Sequence, residues 1–167
     1  VFGSTTFATA TVLSVFMGGL ALGSWLAGRK ADQIQRPFLW YGILEGIIGV
    51  WALIAPFMFD AATPLYKIIW QYFHLSAVPF GILRYLVALC ILLVPTTCMG
   101  ATLPLLSKYV TDKLEDVGNK IGTLYAANTL GAVGGAALAG LSLLPALGLS
   151  RTTLVAAVIN FLLVAAV

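Results

Sequence analysis

The chain has 167 residues, of which 60% are hydrophobic and 9% charged, with a net charge of +3 and a mean hydropathy of +1.01. Soluble domains carry about 25% charged residues, so this composition argues against a water-soluble globule. The few basic residues are explained by lipid headgroups at membrane edges, and no nucleic-acid partner is implied.

Residues 1–28, 85–107, 121–150 and 152–167 contain no Lys, Arg, Asp, Glu or His. Uncharged apolar runs of about 18 residues or more read as membrane spans, because a hydrocarbon core of about 30 Å needs about 20 helical residues. A soluble helical core would need polar outer faces, and these runs have none. The expectation is an all-α, polytopic membrane helix bundle, residues 1–167 forming one integral membrane domain of about five transmembrane helices.

In chain order, the first span covers about Thr5–Leu26 and the second about Pro37–Phe59, interrupted only by Glu45. The third covers about Ile82–Ser107, with a kink expected within "VPTTCMGATLP", and Arg84 and Tyr85 anchor its outer end. The fourth is about Ile121–Leu144 and the fifth about Thr152–Val167, joined by a tight turn at Pro145–Ser150. Pro37 suits a first helical turn, where its missing N–H costs nothing. In the long connection Asp60–Gly81, "PLYKIIWQYFHL" predicts a short helix lying in the interface.

Six of the nine basic residues fall in the first and third connections, which the positive-inside rule assigns to the cytoplasm. Val1 is then outside. Such a start without a signal peptide suggests a piece of a longer protein that lacks at least one earlier helix.

Small residues recur four apart, as Gly19, Gly23 and Ala27, as Gly42 and Gly46, as Gly118, Gly122 and Ala126, and as Gly131, Gly135 and Ala139. In lipid, helices associate by close packing, and such faces let backbones approach. Gly19 and Gly23 are expected to meet a glycine-rich face of the fourth span.

Chemistry-bearing motifs are sparse. No two glycines lie two apart, and there is no phosphate loop and no Gly-x-Ser-x-Gly. One histidine, His74, makes no metal cluster, and Cys90 and Cys98 read as small apolar residues. No metal or cofactor is expected, and catalysis by this segment is not implied.

Three polar features lie inside the spans. Glu45 sits ~12 Å below the start of its helix; an intramembrane carboxylate usually faces the bundle interior or a cavity. It fits a proton or cation path or a structural hydrogen bond equally well. Within "PTTCMGATLP", Pro95 and Pro104 remove backbone donors, and Thr96, Thr97 and Thr102 are expected to satisfy part of what they free. A broken helix of this kind builds substrate sites in transporters or serves packing alone. Asn128 and Asn160 read first as hydrogen-bonding glue between helices, with Asn128 also a candidate for the path.

The loop "GRKADQIQRP" resembles the cytoplasmic loop motif of the major facilitator superfamily, matching it at Gly28, Asp32 and Arg36 and departing at Gln33, Gln35 and Pro37. Four longer runs carry a broader resemblance: "VFGSTTFATATVLSVFMGGLALGSWLAGRKAD", "PFLWYGILEGIIGVWAL", "VPTTCMGATLPLLSKYV" and "IGTLYAANTLGAVGGAALAGLSLLPALGL". Together they resemble the membrane part of spermidine-synthase-like proteins, also described as fused major facilitator and spermidine synthase proteins. That resemblance implies a preceding helix and a following soluble aminopropyltransferase-like domain as partners, in a bacterial or archaeal plasma membrane. Three functional classes stay open: a membrane domain that anchors or supplies such a soluble domain, a transport module of a major-facilitator-like carrier, and a noncatalytic subunit packed against other membrane subunits.

Overall fold

Small residues form the buried stripe of the first helix and large apolar residues face outward, the inverse of a protein that folds in water. The computed structural model describes residues 6–73, 77–112 and 117–167. Thr5, His74, Lys113 and the other residues of 1–5, 74–76 and 113–116 lie outside the described residues. The elements are α1 (Thr6–Lys30), α2 (Pro37–Phe73), α3 (Ala77–Asp112), α4 (Val117–Leu138) and α5 (Leu144–Ala165). A short 3-10 turn, Ala31–Gln33, follows α1, and a π-turn, Ala139–Leu143, joins α4 to α5.

On α1 the buried stripe runs Ala8, Thr11, Val15, Gly19 and Gly23. Leu13, Met17 and Trp25 on the same helix are 53%, 56% and 54% exposed. Apolar surface exposed on this scale belongs against lipid. With lipid tails as apolar as leucine, shape complementarity between backbones does the work that hydrophobic burial does in water.

α3 is the hub, packed against α1 along most of its length and against α2 on another side. At Gly23 a Cβ would sit 2.8 Å from the Thr97 carbonyl carbon, and at Gly100 one would sit 2.7 Å from Leu20 Cα. α5 runs antiparallel to α2. Val167 abuts Gly42, Val164 lies near Gly46, and Asn160 with Phe161 covers Gly49.

Two aromatic belts mark the ends of the bundle. Phe38 stacks on Tyr109 at 4.7 Å, next to Tyr41, at the end that carries the basic loop. Tyr66, Trp70 and Phe80 cluster at the opposite end. Along α2, Tyr41 and Tyr66 lie ~37 Å apart at 1.5 Å per residue. That distance falls between a hydrocarbon core of about 30 Å and a full bilayer of about 40–45 Å, where Trp and Tyr collect.

Three expectations need correction. Four helical stretches among the described residues, not five, are long and apolar enough to cross a membrane: Ala8–Gln33, Pro37–Tyr72, Val78–Thr111 and Gly118–Ala165. The last joins the expected fourth and fifth spans. Pro145 falls in the first turn of α5, where proline does not end a helix, and the π-turn before it absorbs the bond its ring cannot close. Only Gly148, with φ +73°, leaves helical geometry, so the expected tight turn is a kink. Second, the expected interfacial helix is continuous with the second span, since α2 runs to Phe73 with Pro56 and Pro64 inside it. Third, Gly19 and Gly23 meet α3 and not α4. Gly131 and Gly135, like Gly118 and Gly122, have no atom within 4 Å of where a Cβ would stand. α4 leaves the bundle after its contact with α3, and its glycine face has no helix opposite it among the described residues.

These contacts separate the glycines by consequence. Gly23→Leu should destabilise the protein by at least ~2 kcal/mol through overpacking against the α3 backbone. Leu22→Ile should be nearly silent, because Leu22 is 37% exposed. Gly135→Ala should be neutral or stabilising by about 0.5–1 kcal/mol through helix propensity alone. Thermal melts in detergent check all three, and equal loss in Gly23→Leu and Gly135→Ala would contradict the packing.

Candidate functional site

Within α3, Pro95 and Pro104 each lack the N–H that would bond the carbonyl four residues back, leaving those of Ile91 and Gly100 unpaired by the helix itself. In hydrocarbon a bare carbonyl costs several kcal/mol. Both are taken up by side chains of neighbouring helices. The Trp51 indole N–H of α2 donates to the Ile91 carbonyl at 2.7 Å, and the Ser24 hydroxyl of α1 donates to the Gly100 carbonyl at 2.8 Å.

The threonines expected to do this bond elsewhere. Thr96 donates to the carbonyls of Leu92 and Leu93 at 2.7 and 3.2 Å, and Thr102 donates to Met99 at 2.7 Å. Thr96 is 4% exposed, wedged where a Cβ at Gly19 would lie 2.6 Å from its own Cβ. Thr97 borders a cavity of about 230 Å³ near the basic-loop end, and its hydroxyl is buried without a partner. The proline segment is therefore a packed seam between three helices.

Glu45 lies on α2, half-buried, in a stretch whose glycines Gly42 and Gly49 face α5. The Tyr41 side chain lies one turn earlier on the same helix, beside Glu45. Asn128 is exposed on α4. Asn160 packs against Gly49 at the α2–α5 contact. Gly28, Asp32 and Arg36 are exposed, and no helix approaches Gly28 within 4 Å of a Cβ position. Nearby, Arg29 covers the Trp25 ring at 4.6 Å, holding the end of α1 at the headgroup level.

A larger cavity, about 1230 Å³, opens at the other end of the bundle between α1, α2 and α3. Tyr66, Lys67, Trp70, Phe80, Arg84 and Tyr85 are among its lining residues, and no carboxylate is among the described ones. The sequence placed Arg84 and Tyr85 at the outer end of a span; what it missed is that α2 continues far enough to bring Tyr66 and Trp70 beside them. The apolar-aromatic stretch "PLYKIIWQYF" spaced at i and i+4, as in Tyr66 and Trp70, was the available signal.

No family model matches the chain, and no curated protein or solved structure matches it either.

The carbonyl bonds are testable by double-mutant cycles in detergent unfolding. Ser24→Ala should cost about 1 kcal/mol in the native background, and much less once Pro104→Ala restores a backbone donor to Gly100. Trp51→Phe with Pro95→Ala should behave the same way. A coupling of ~0.5–1.5 kcal/mol is expected in each cycle, and additive effects in both would show that these donors do not serve the freed carbonyls.

Proposed function

We propose that the chain is an anchoring membrane domain of a spermidine-synthase-like protein, a piece of a major-facilitator-like bundle. It would hold a soluble aminopropyltransferase-like domain at the basic-loop face of a bacterial or archaeal plasma membrane. The observation that carries this proposal is the occupation of both proline-freed carbonyls of α3 by Trp51 and Ser24. A transporter's broken helix leaves such groups to coordinate a substrate; here they bind the bundle together. The outer cavity carries Lys67 and Arg84 and, among its described residues, no carboxylate, a lining that repels a polyamine and argues against supply of such a substrate from that side.

A second proposal, a transport module, rests on Glu45 and the Tyr41 beside it. The two are separable on the full-length protein in proteoliposomes. Anchoring requires that Glu45→Gln leave polyamine-dependent chemistry unchanged, with no polyamine accumulation above empty vesicles. Accumulation that falls at least ~10-fold in Glu45→Gln, with folding intact, would replace anchoring by transport.

Topology gives an independent check. On a background with Cys90 and Cys98 replaced by Ala, a cysteine at Tyr72, which is 78% exposed, should react with an impermeant maleimide in intact cells. A cysteine at Gln33 should react only after permeabilisation. The reverse pattern would overturn the orientation and with it the cytoplasmic placement of a soluble domain.

A further inference from the structure

The outer cavity combines two features that an apolar gap between helices does not need. One is an ordered aromatic wall. Phe80 stands edge-on to Tyr66, with centroids 6.0 Å apart, and edge-on to Trp70 at 5.3 Å. The Arg84 guanidinium lies 4.4 Å above the Phe80 ring. The other is a set of donors with nothing to answer them. Tyr66 is only 6% exposed, and its hydroxyl has no hydrogen-bond partner; neither does Nε of Arg84. Lys67, one residue along α2, is exposed at the rim and adds a second cation.

Buried donors and cations are normally satisfied. Lys67 and Arg84 make the lining cationic and none of the described lining residues is acidic, so the cavity suits an acceptor with negative charge. The depth fits as well. Tyr66, Trp70 and Tyr85 belong to the belt at the headgroup level, where lipid phosphates lie. Above them the rim is apolar and open: Trp70 is 52%, Ile82 55% and Val78 72% exposed. The volume, about 1230 Å³, exceeds the roughly 300–1,000 Å³ typical of small-molecule pockets.

We propose that this cavity binds one anionic phospholipid from the leaflet at its own end of the bundle. Lys67 and Arg84 hold the phosphate, the Tyr66 hydroxyl donates to it, Trp70 and Val78 flank the headgroup, and the acyl chains run toward the bilayer centre past Ala10 and Ser14 of α1. A free phosphate would leave the aromatic wall unused. A further apolar helix in the same place would leave the Tyr66 hydroxyl and the Arg84 guanidinium unanswered. A polyamine would meet two like charges.

The test is thermal stability and native mass spectrometry of the full-length protein in non-ionic detergent. It is titrated with phosphatidylglycerol, with phosphatidylcholine of the same acyl chains, and with inorganic phosphate. Phosphatidylglycerol should raise the melting temperature and remain bound, phosphatidylcholine should do so weakly, and phosphate should do neither. Lys67→Gln should lower the preference for phosphatidylglycerol about five-fold, and Lys67→Gln with Arg84→Gln about thirty-fold, from the usual attraction of an anionic lipid per basic residue. Tyr66→Phe should weaken the binding of both lipids, since both carry the phosphate to which its hydroxyl donates, and should leave the preference for phosphatidylglycerol unchanged. Equal binding of both lipids by the unaltered protein would overturn the proposal, whether or not the variants fold. So would stabilisation by phosphate alone, an absence of effect from either lipid (the result expected if another helix covers the cavity), or an undiminished preference in a folded Lys67→Gln variant.

Discussion

A carbonyl without a donor has no water to turn to inside a bilayer, and α3 carries two of them by virtue of its prolines. Their solution governs the arrangement of the first three helices. The Ser24 hydroxyl reaches the Gly100 carbonyl only when α1 lies close to α3, and that closeness requires the glycines at 19, 23 and 100. Trp51 reaches the Ile91 carbonyl from the other side, which fixes how α2 is rotated about its own axis. Gly42, Gly46 and Gly49 then face away from that bond, toward α5. Each single bond is modest, about 0.6 kcal/mol on average for interhelical pairs in membranes. Leaving a carbonyl bare costs several times more, so the constraint acts chiefly by excluding other arrangements.

The same logic explains why the bundle is tight at α1–α3 and loose at α4. A helix in lipid gains little from leaving it unless backbones can touch or polar groups pair. α1 offers both, through its small-residue stripe and Ser24. α4 offers glycines but no described hydroxyl bond to another helix. Thr123 and Thr129 bond back to Asn119 and Tyr125 on their own helix. Small residues permit an approach; they do not compel one.

Much of this was legible in the sequence, and the limits have physical causes. Charge-free runs revealed membrane helices because lipid forbids charge almost everywhere. Merging of the last two spans was not legible, since proline in a first helical turn and proline in a loop look alike until the preceding backbone is known. Gly19 and Gly23 read correctly as small, but their partner did not follow from glycine spacing. The facing stripe on α3 is Thr96 with Gly100 and Thr97 with Ala101, small residues four apart of mixed type. The threonines themselves misled in another way. A hydroxyl next to a proline is the obvious donor in one dimension, yet in a helix it bonds its own preceding turn, and the donors that matter come from residues 40 and 76 positions away. For Glu45, sequence gave depth but could not give the neighbour, Tyr41, that accompanies it.

Chain order gives the two cross-helix bonds a meaning for biogenesis. Ser24 precedes Gly100 by 76 residues and Trp51 precedes Ile91 by 40, so both donors are synthesised well before their acceptors. At a translation rate of about 5–20 residues per second, Ser24 waits roughly 4–15 s for its partner. Waiting is cheap for a serine, whose hydroxyl can bond a carbonyl of its own helix in the interim. α3, whose two proline-freed carbonyls are bonded by neighbouring helices, is thus the last of the three to leave the ribosome, and both of its donors precede it.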